Sequence, residues 1–179
     1  VKIETAWLAG FFDGEGCVSL HKDKRHKRFS YVPAVALANK NFQVLREIQS
    51  AWGGYLRTVK RSQTPPHQWT WTLHLPISCL RRFLLEILPF LKIKSEEARV
   101  LVDFLETREA YRARKSGRKF DKSWYAFAEE CYWQLRRLKG KYTSPDGVFD
   151  RSPVAMDYAK AIGAVMSELE EEVYDGQLL

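Results

Sequence analysis

Leu8-Ala9-Gly10-Phe11-Phe12-Asp13-Gly14-Glu15-Gly16, running directly into Cys17-Val18-Ser19-Leu20-His21-Lys22, is the stretch on which the fold turns. Ala6, Trp7, Leu8, Ala9, Phe11 and Phe12 leave no polar side to the first part, so it reads as a helix from about Glu4 to Gly14 that is buried all round. Two carboxylates then arrive abruptly, Asp13 inside the helix and Glu15 just past its expected end. After Gly16 the period changes to two. Val18 and Leu20 share one face and Ser19 and His21 the other, the pattern of a half-buried strand.

Outward from this stretch, strand and helix signals alternate. A loop over Lys22–Ser30 carries Lys22, Lys24, Arg25, Lys27 and Arg28, and a second strand is expected from Tyr31 to Ala38. A helix follows over Asn39–Ala51, stopped by Gly53-Gly54. Tyr55–Arg61 and Gln68–Leu75 read as strands flanking a Pro-Pro loop. In the latter, Trp69, Trp71, Leu73 and Leu75 form the packed side, and Gln68, Thr70, Thr72 and His74 the polar side. Helices are expected over Ile77–Leu88, Ser95–Arg114 (with Ser95, Glu96 and Glu97 as a capped start), Lys122–Leu138 and Val154–Glu172. The last is preceded by a loop near 142–153. The order predicts an α+β fold: an αββαββα core with a curved antiparallel sheet, helices on one face and additional C-terminal helices. The expected division is a core over 1–112 and a helical extension over 113–179 packed on it.

Ala6, Gly10 and Gly14 recur every four residues and form one small-residue stripe, along which a second helix can approach closely. A merely buried helix that tolerates glycines fits these residues as well; if the stripe is an interface, the single copy of the pattern means that the partner helix comes from a second copy of the chain. Two-fold symmetry then brings two Glu15 carboxylates near the axis.

The segment Leu8–Gly16 resembles the LAGLIDADG motif position by position, with Phe11-Phe12 for Leu-Ile, Gly14 for the second Ala and Glu15 for the final Asp. Pro89-Phe90-Leu91-Lys92-Ile93-Lys94 is similar to a stretch of single-motif members from organelles. The resemblance covers roughly residues 1–112. It implies a homodimeric homing endonuclease that cleaves both strands of a long pseudo-palindromic duplex. It assigns Glu15 as metal ligand with the Gly14 carbonyl, and Ala6, Gly10 and Gly14 to the dimer interface. Lys94 is placed near the scissile phosphate, Asn39 as a water-positioning residue, and Gln43 as a further catalytic candidate. Asp13 is given a structural hydrogen-bonding role instead. The metal implied is Mg²⁺, with Mn²⁺ as substitute and Ca²⁺ supporting binding without cleavage.

Strand parity then supplies a DNA-reading face: Ser19, His21, Ser30, Arg57, Arg61, Gln68, Thr70, Thr72 and His74. Lys24, Arg25, Lys27 and Arg28 add phosphate contacts. Any one of these polar residues suits an ordinary solvated face equally well; the recurrence over four strands carries the expectation.

The bulk composition agrees. Among 179 residues the net charge is +7, with 13% aromatic residues, which favours a polyanionic partner. Three widely spaced cysteines (Cys17, Cys79, Cys131) argue against a disulfide frame or a paired-cysteine zinc site and favour a reducing compartment; with the resemblance, the expected setting is intracellular, in an organelle (chloroplast or mitochondrion) or a prokaryotic cytoplasm. No long apolar run predicts a membrane span. Val1 stands directly before the motif helix, as expected of a segment excised from a longer product. Two rival readings keep the fold or the charge and change the activity. One is an intron RNA maturase or a catalytically decayed DNA-binding protein; the other is a plain basic interaction module.

Overall fold

In the computed structural model, residues 3–25, 28–60, 69–114 and 120–140 are described. Lys27, Arg61 and Gln68, the loop near 142–153 and the helix expected over 154–172 lie outside them. The elements are α1 (Thr5–Glu15), β1 (Gly16–Arg25), β2 (Arg28–Asn39), α2 (Phe42–Trp52), β3 (Tyr55–Lys60), β4 (Trp69–His74), α3 (Ile77–Ile87), a 3₁₀ turn (Leu88–Phe90), α4 (Ser95–Arg114) and α5 (Lys122–Leu138). The fold is α+β, with a four-stranded antiparallel open sheet in the order β1-β2-β4-β3.

Register explains that order. Leu73 of β4 pairs with Leu37 of β2 on one side and with Leu56 of β3 on the other. Directly paired residues share a face, so three leucines form one row against the helices. With α2 as the crossover, β3 becomes the outer strand and β4 slots beside β2. Gly53 and Gly54 make the turn into β3 with φ of 75° and 101°. A Cβ at Gly54 would lie 2.2 Å from the His74 carbonyl oxygen, so no larger residue fits there.

The chain divides into two compact units, Val1–Leu20 with Val32–Leu105, and His21–Tyr31 with Glu106–Leu179. In the first unit, Leu8, Ala9 and Phe12 of α1, Leu45, Ile48 and Trp52 of α2, and Leu80, Phe83, Leu84 and Ile87 of α3 are buried. Phe83 meets Phe12 edge-on at 5.5 Å and Trp52 at 5.1 Å. Each such fully buried aromatic contributes about 1.5–3 kcal/mol through removal from water. Asn41 caps α2 by accepting from the Gln43 and Val44 amides.

In the second unit, the α5 residues Trp124, Ala128, Cys131 and Leu135 are buried, and Phe120 stacks on Trp124 at 4.5 Å. Asp121 caps this helix through the Trp124 amide at 3.1 Å.

Three expectations are corrected. The helix α1 includes Glu15 rather than stopping at Gly14. It is not buried all round, because Ala6, Trp7, Gly10 and Gly14 are exposed within one chain. The segment 22–30 is largely strand, β1 reaching Arg25 and β2 beginning at Arg28. Its charges mask the two strand ends.

Candidate functional site

The last turn of α1 is tied down by one carboxylate. Asp13 is buried at 8% exposure and accepts hydrogen bonds from the Lys92 amide at 2.7 Å and the Lys94 amide at 2.9 Å. The Lys94 ammonium donates in return to the Asp13 carbonyl oxygen, so the segment after the 3₁₀ turn is clamped onto the helix end from both sides. Burial pushes the Asp13 carboxyl upward. The Lys92, Lys94 and Ile93 amides and the Lys94 charge outweigh it and hold the group below its usual range. The chain then leaves through Gly16, where a Cβ would lie 2.3 Å from the Phe12 ring and 2.5 Å from its carbonyl oxygen. Only glycine permits the helix to pass straight into β1 there.

Glu15, beside this clamp, is exposed and hydrogen-bonds to none of the described residues. The C-terminal end of a helix carries partial negative charge, and α1 has no basic residue in its last turn. A carboxylate left there without a partner is electrostatically suited to receive a cation. On the same helix Ala6, Gly10 and Gly14 are exposed, and a Cβ added at Gly10 or Gly14 would meet no heavy atom within 4 Å. Trp7 flanks the stripe at 47% exposure and stacks on Phe11 at 5.4 Å.

The sheet's other face is set by register. Arg57, Thr72 and Ala38 lie in one row across β3, β4 and β2, and Tyr55, His74 and Ala36 in the next. Arg57 is exposed, and Thr72 and His74 are half-buried. Ser19 is half-buried, its hydroxyl donating to the Ala34 carbonyl at 3.4 Å. Thr70 departs from the expected pattern. It lies on the inner strand β4 opposite Val59, is only 5% exposed, and its hydroxyl has no hydrogen-bond partner among the described residues. At that burial its hydroxyl is not an open polar group on the outer face. In the second unit His21 is exposed and Ser30 half-buried; the backbone places Lys24 and Arg25 on β1 and Arg28 on β2.

Residues 8–92 match the LAGLIDADG endonuclease family model. Over that stretch the chain resembles the LAGLIDADG endonucleases. Its structure is similar to that of the homing endonuclease I-CvuI in complex with its target in the presence of Ca, with TM-score 0.57, 19% identity, and coverage of 89% of this chain and 94% of that one. It is also similar to the archaeal intron-encoded homing endonuclease I-Vdi141I complexed with DNA, with TM-score 0.63, 13% identity, and coverage of 92% and 95%. I-SmaMI bound to uncleaved DNA in the presence of calcium ions matches at TM-score 0.57 and 14% identity, over 79% of this chain and 49% of that one. At these identities the likeness is one of fold. No curated protein sequence matches the chain.

At the end of α1 the Glu15 carboxylate and the Gly14 carbonyl are oxygen donors, the latter in the last turn, where carbonyls outnumber helical donors. Both are hard oxygens, as Mg²⁺ and Ca²⁺ require. The described residues contain no group of three or more His, Cys, Asp or Glu able to hold a metal ion. Lys94 is brought to the same helix end. Asn39 is half-buried and pairs with Trp71, on the helix-facing parity. Its side chain accepts from the Asn41 amide at 2.8 Å, which fixes it in the turn into α2. Gln43 is exposed and reaches along its own helix to Glu47 at 3.4 Å. No hydrogen bond among the described residues joins Asn39 or Gln43 to Glu15 or Lys94.

Sequence reasoning missed Tyr55, 61% exposed and stacked on His74 at 4.8 Å on the outer face. Its parity with Arg57 was the available signal. No helix among the described residues is long and apolar enough to cross a membrane.

Proposed function

We propose that this chain is a site-specific double-strand DNA endonuclease that acts as a homodimer on a long pseudo-palindromic site, using divalent metal, and that it is intron-encoded. The observation that carries the reading is the end of α1: an unpartnered Glu15 carboxylate on the same helix as an open Ala6/Gly10/Gly14 stripe. The stripe offers a second copy close approach, and the copy brings its own Glu15. The I-CvuI, I-Vdi141I and I-SmaMI structures hold DNA, two of them with Ca or Mg, which supports a duplex substrate and a divalent ion here.

Glu15 and Gly14 would hold the ion, Mg²⁺ in the working enzyme, which supplies Lewis-acid stabilisation of charge on the phosphate and leaving oxygen. Asp13 keeps the strands' entry and Lys94 in fixed relation to Glu15. Lys94 presents a cation beside the same helix end, where it can stabilise developing negative charge. Asn39, rigid in its turn, has an amide Nδ2 that donates to none of the described residues and is left to orient water. Arg57, Thr72 and His74 read base edges from the outer face, a two-stranded ribbon being of a size to enter the major groove.

The test is cleavage of a randomised duplex library with Mg²⁺, sequencing the new ends. The expected result is one long near-palindromic site cut in both strands. The reading fails if no duplex is cut in Mg²⁺ or Mn²⁺ while the folded chain retains structured intron RNA in preference to DNA.

A further inference from the structure

Glu129 of α5 is the one fully buried acidic residue among those described, at 0% exposure. A lone buried carboxylate costs several kcal/mol, so its surroundings must answer its charge. Three donors converge on it. The Lys22 ammonium reaches it at 2.8 Å, the Trp133 indole N–H at 2.9 Å, and the Tyr31 hydroxyl closes the set. Burial and then the Glu129 carboxylate hold the Tyr31 phenol far above its ordinary range, so it remains a donor.

The positions of the donors give the cluster its meaning. Trp133 lies one helical turn beyond Glu129 on α5. Lys22 lies on β1 and Tyr31 on β2, one on each arm of the hairpin. Between them the sequence carries Lys24, Arg25, Lys27 and Arg28 against the single acid Asp23. Lys22 itself is only 17% exposed, and its ammonium also sits 4.2 Å from the Phe29 ring, which ties the two arms together. Its charge is answered inside the protein, unlike an ammonium spread into solvent. A hairpin carrying this much like charge repels itself, and cations on a loose arm lose ordering entropy when they meet a polyanion.

We propose that Glu129 is a positioning residue for nucleic-acid contact: it braces both arms of the β1–β2 hairpin, at Lys22 and Tyr31, against α5, so that β1 and β2 carry Lys24, Arg25 and Arg28 to the phosphate backbone from a fixed base. Lys22 belongs to the brace and not to the phosphate contacts. The proposal rests on the reading that the sheet meets duplex DNA.

The experiment compares the full chain with Glu129→Gln and the milder Tyr31→Phe, each shown to be folded by circular dichroism. It reads the salt dependence of duplex binding and the hydrogen exchange of the 21–31 amides. In Glu129→Gln these amides should exchange at least about tenfold faster, while those of α1 and α3 keep the parent rates. The slope of log affinity against log salt should become shallower by about 0.9 for each phosphate the arm no longer neutralises. Tyr31→Phe should move both readouts the same way by less. Parent-like slope and exchange in both folded variants would overturn the proposal. If the parent binds no duplex at all, the proposed function fails, and with it the phosphate-positioning role.

Discussion

Asp13→Asn tests the clamp at the end of α1. The parent carboxylate takes two backbone N–H groups, from Lys92 at 2.7 Å and Lys94 at 2.9 Å, in a pocket that leaves it 8% exposed. An asparagine can accept one of them, but it turns an NH₂ toward the other and leaves a buried amide without an acceptor. A hydrogen bond to a charged group contributes about 1.5–3 kcal/mol, and an unsatisfied buried donor costs about 1–3 kcal/mol. The expected loss is therefore about 2–4 kcal/mol, within a total of about 5–15 kcal/mol for a typical domain.

Urea unfolding near neutral pH measures this loss, and the pH dependence identifies its origin. The folded Asp13 carboxyl is held below its ordinary value, because the three amides and Lys94 outweigh the effect of burial. A depressed folded pKa gives stability that is complete above the unfolded value of about 3.9 and disappears as pH falls through the folded one. The difference between parent and Asp13→Asn should hold steady from neutral pH down to about pH 5 and shrink only below about pH 4. A loss under about 0.5 kcal/mol, the range of ordinary surface substitutions, would refute the clamp. So would a large loss that persists unchanged in strong acid.

Gly10→Leu should fold normally, since a Cβ there meets nothing within its own chain, yet abolish dimerisation; light scattering that shows an unchanged dimer mass would remove Gly10 from the interface. Lys94→Ala should slow single-turnover cleavage by about 2.7–4 kcal/mol of barrier at saturating enzyme, with little change in binding. Arg57→Ala should relax base preference at one position per half-site at a cost of about 1–3 kcal/mol on preferred sites. Lys24→Ala should instead weaken binding to all duplexes alike and flatten the salt slope. Profiles across single-base site variants at two salt concentrations distinguish these two variants; exchanged behaviour would reverse the parity assigned to β3.

Much of the fold is legible along the chain because its signals are local. The apolar run before Asp13, the alternation at Val18 and Leu20, and the Trp-Thr repeat of β4 each name an element from neighbouring residues alone. What escapes depends on groups distant in sequence. Glu15 belongs to the helix because Gly16, and not Gly14, is where the backbone must pass the Phe12 ring. Charge in the segment 22–30 suggests a loop, whereas Lys22 is answered by Glu129, 107 residues away. Thr70 alternates correctly with its neighbours, but parity names only the face; exposure depends on the strands on either side. Trp7 reads as buried because apolarity reports a need for cover, and within one chain that cover is absent on its side of α1.

The central claim is that Glu15 holds the catalytic metal while the sheet holds the DNA. It is tested most directly by Glu15→Gln on the site recovered from the randomised library, with single-turnover cleavage measured in Mg²⁺ and affinity in Ca²⁺. The account predicts that cleavage is abolished, that affinity stays within several-fold of the parent, and that the dimer keeps its mass. Cleavage at the parent rate by the folded variant would contradict it.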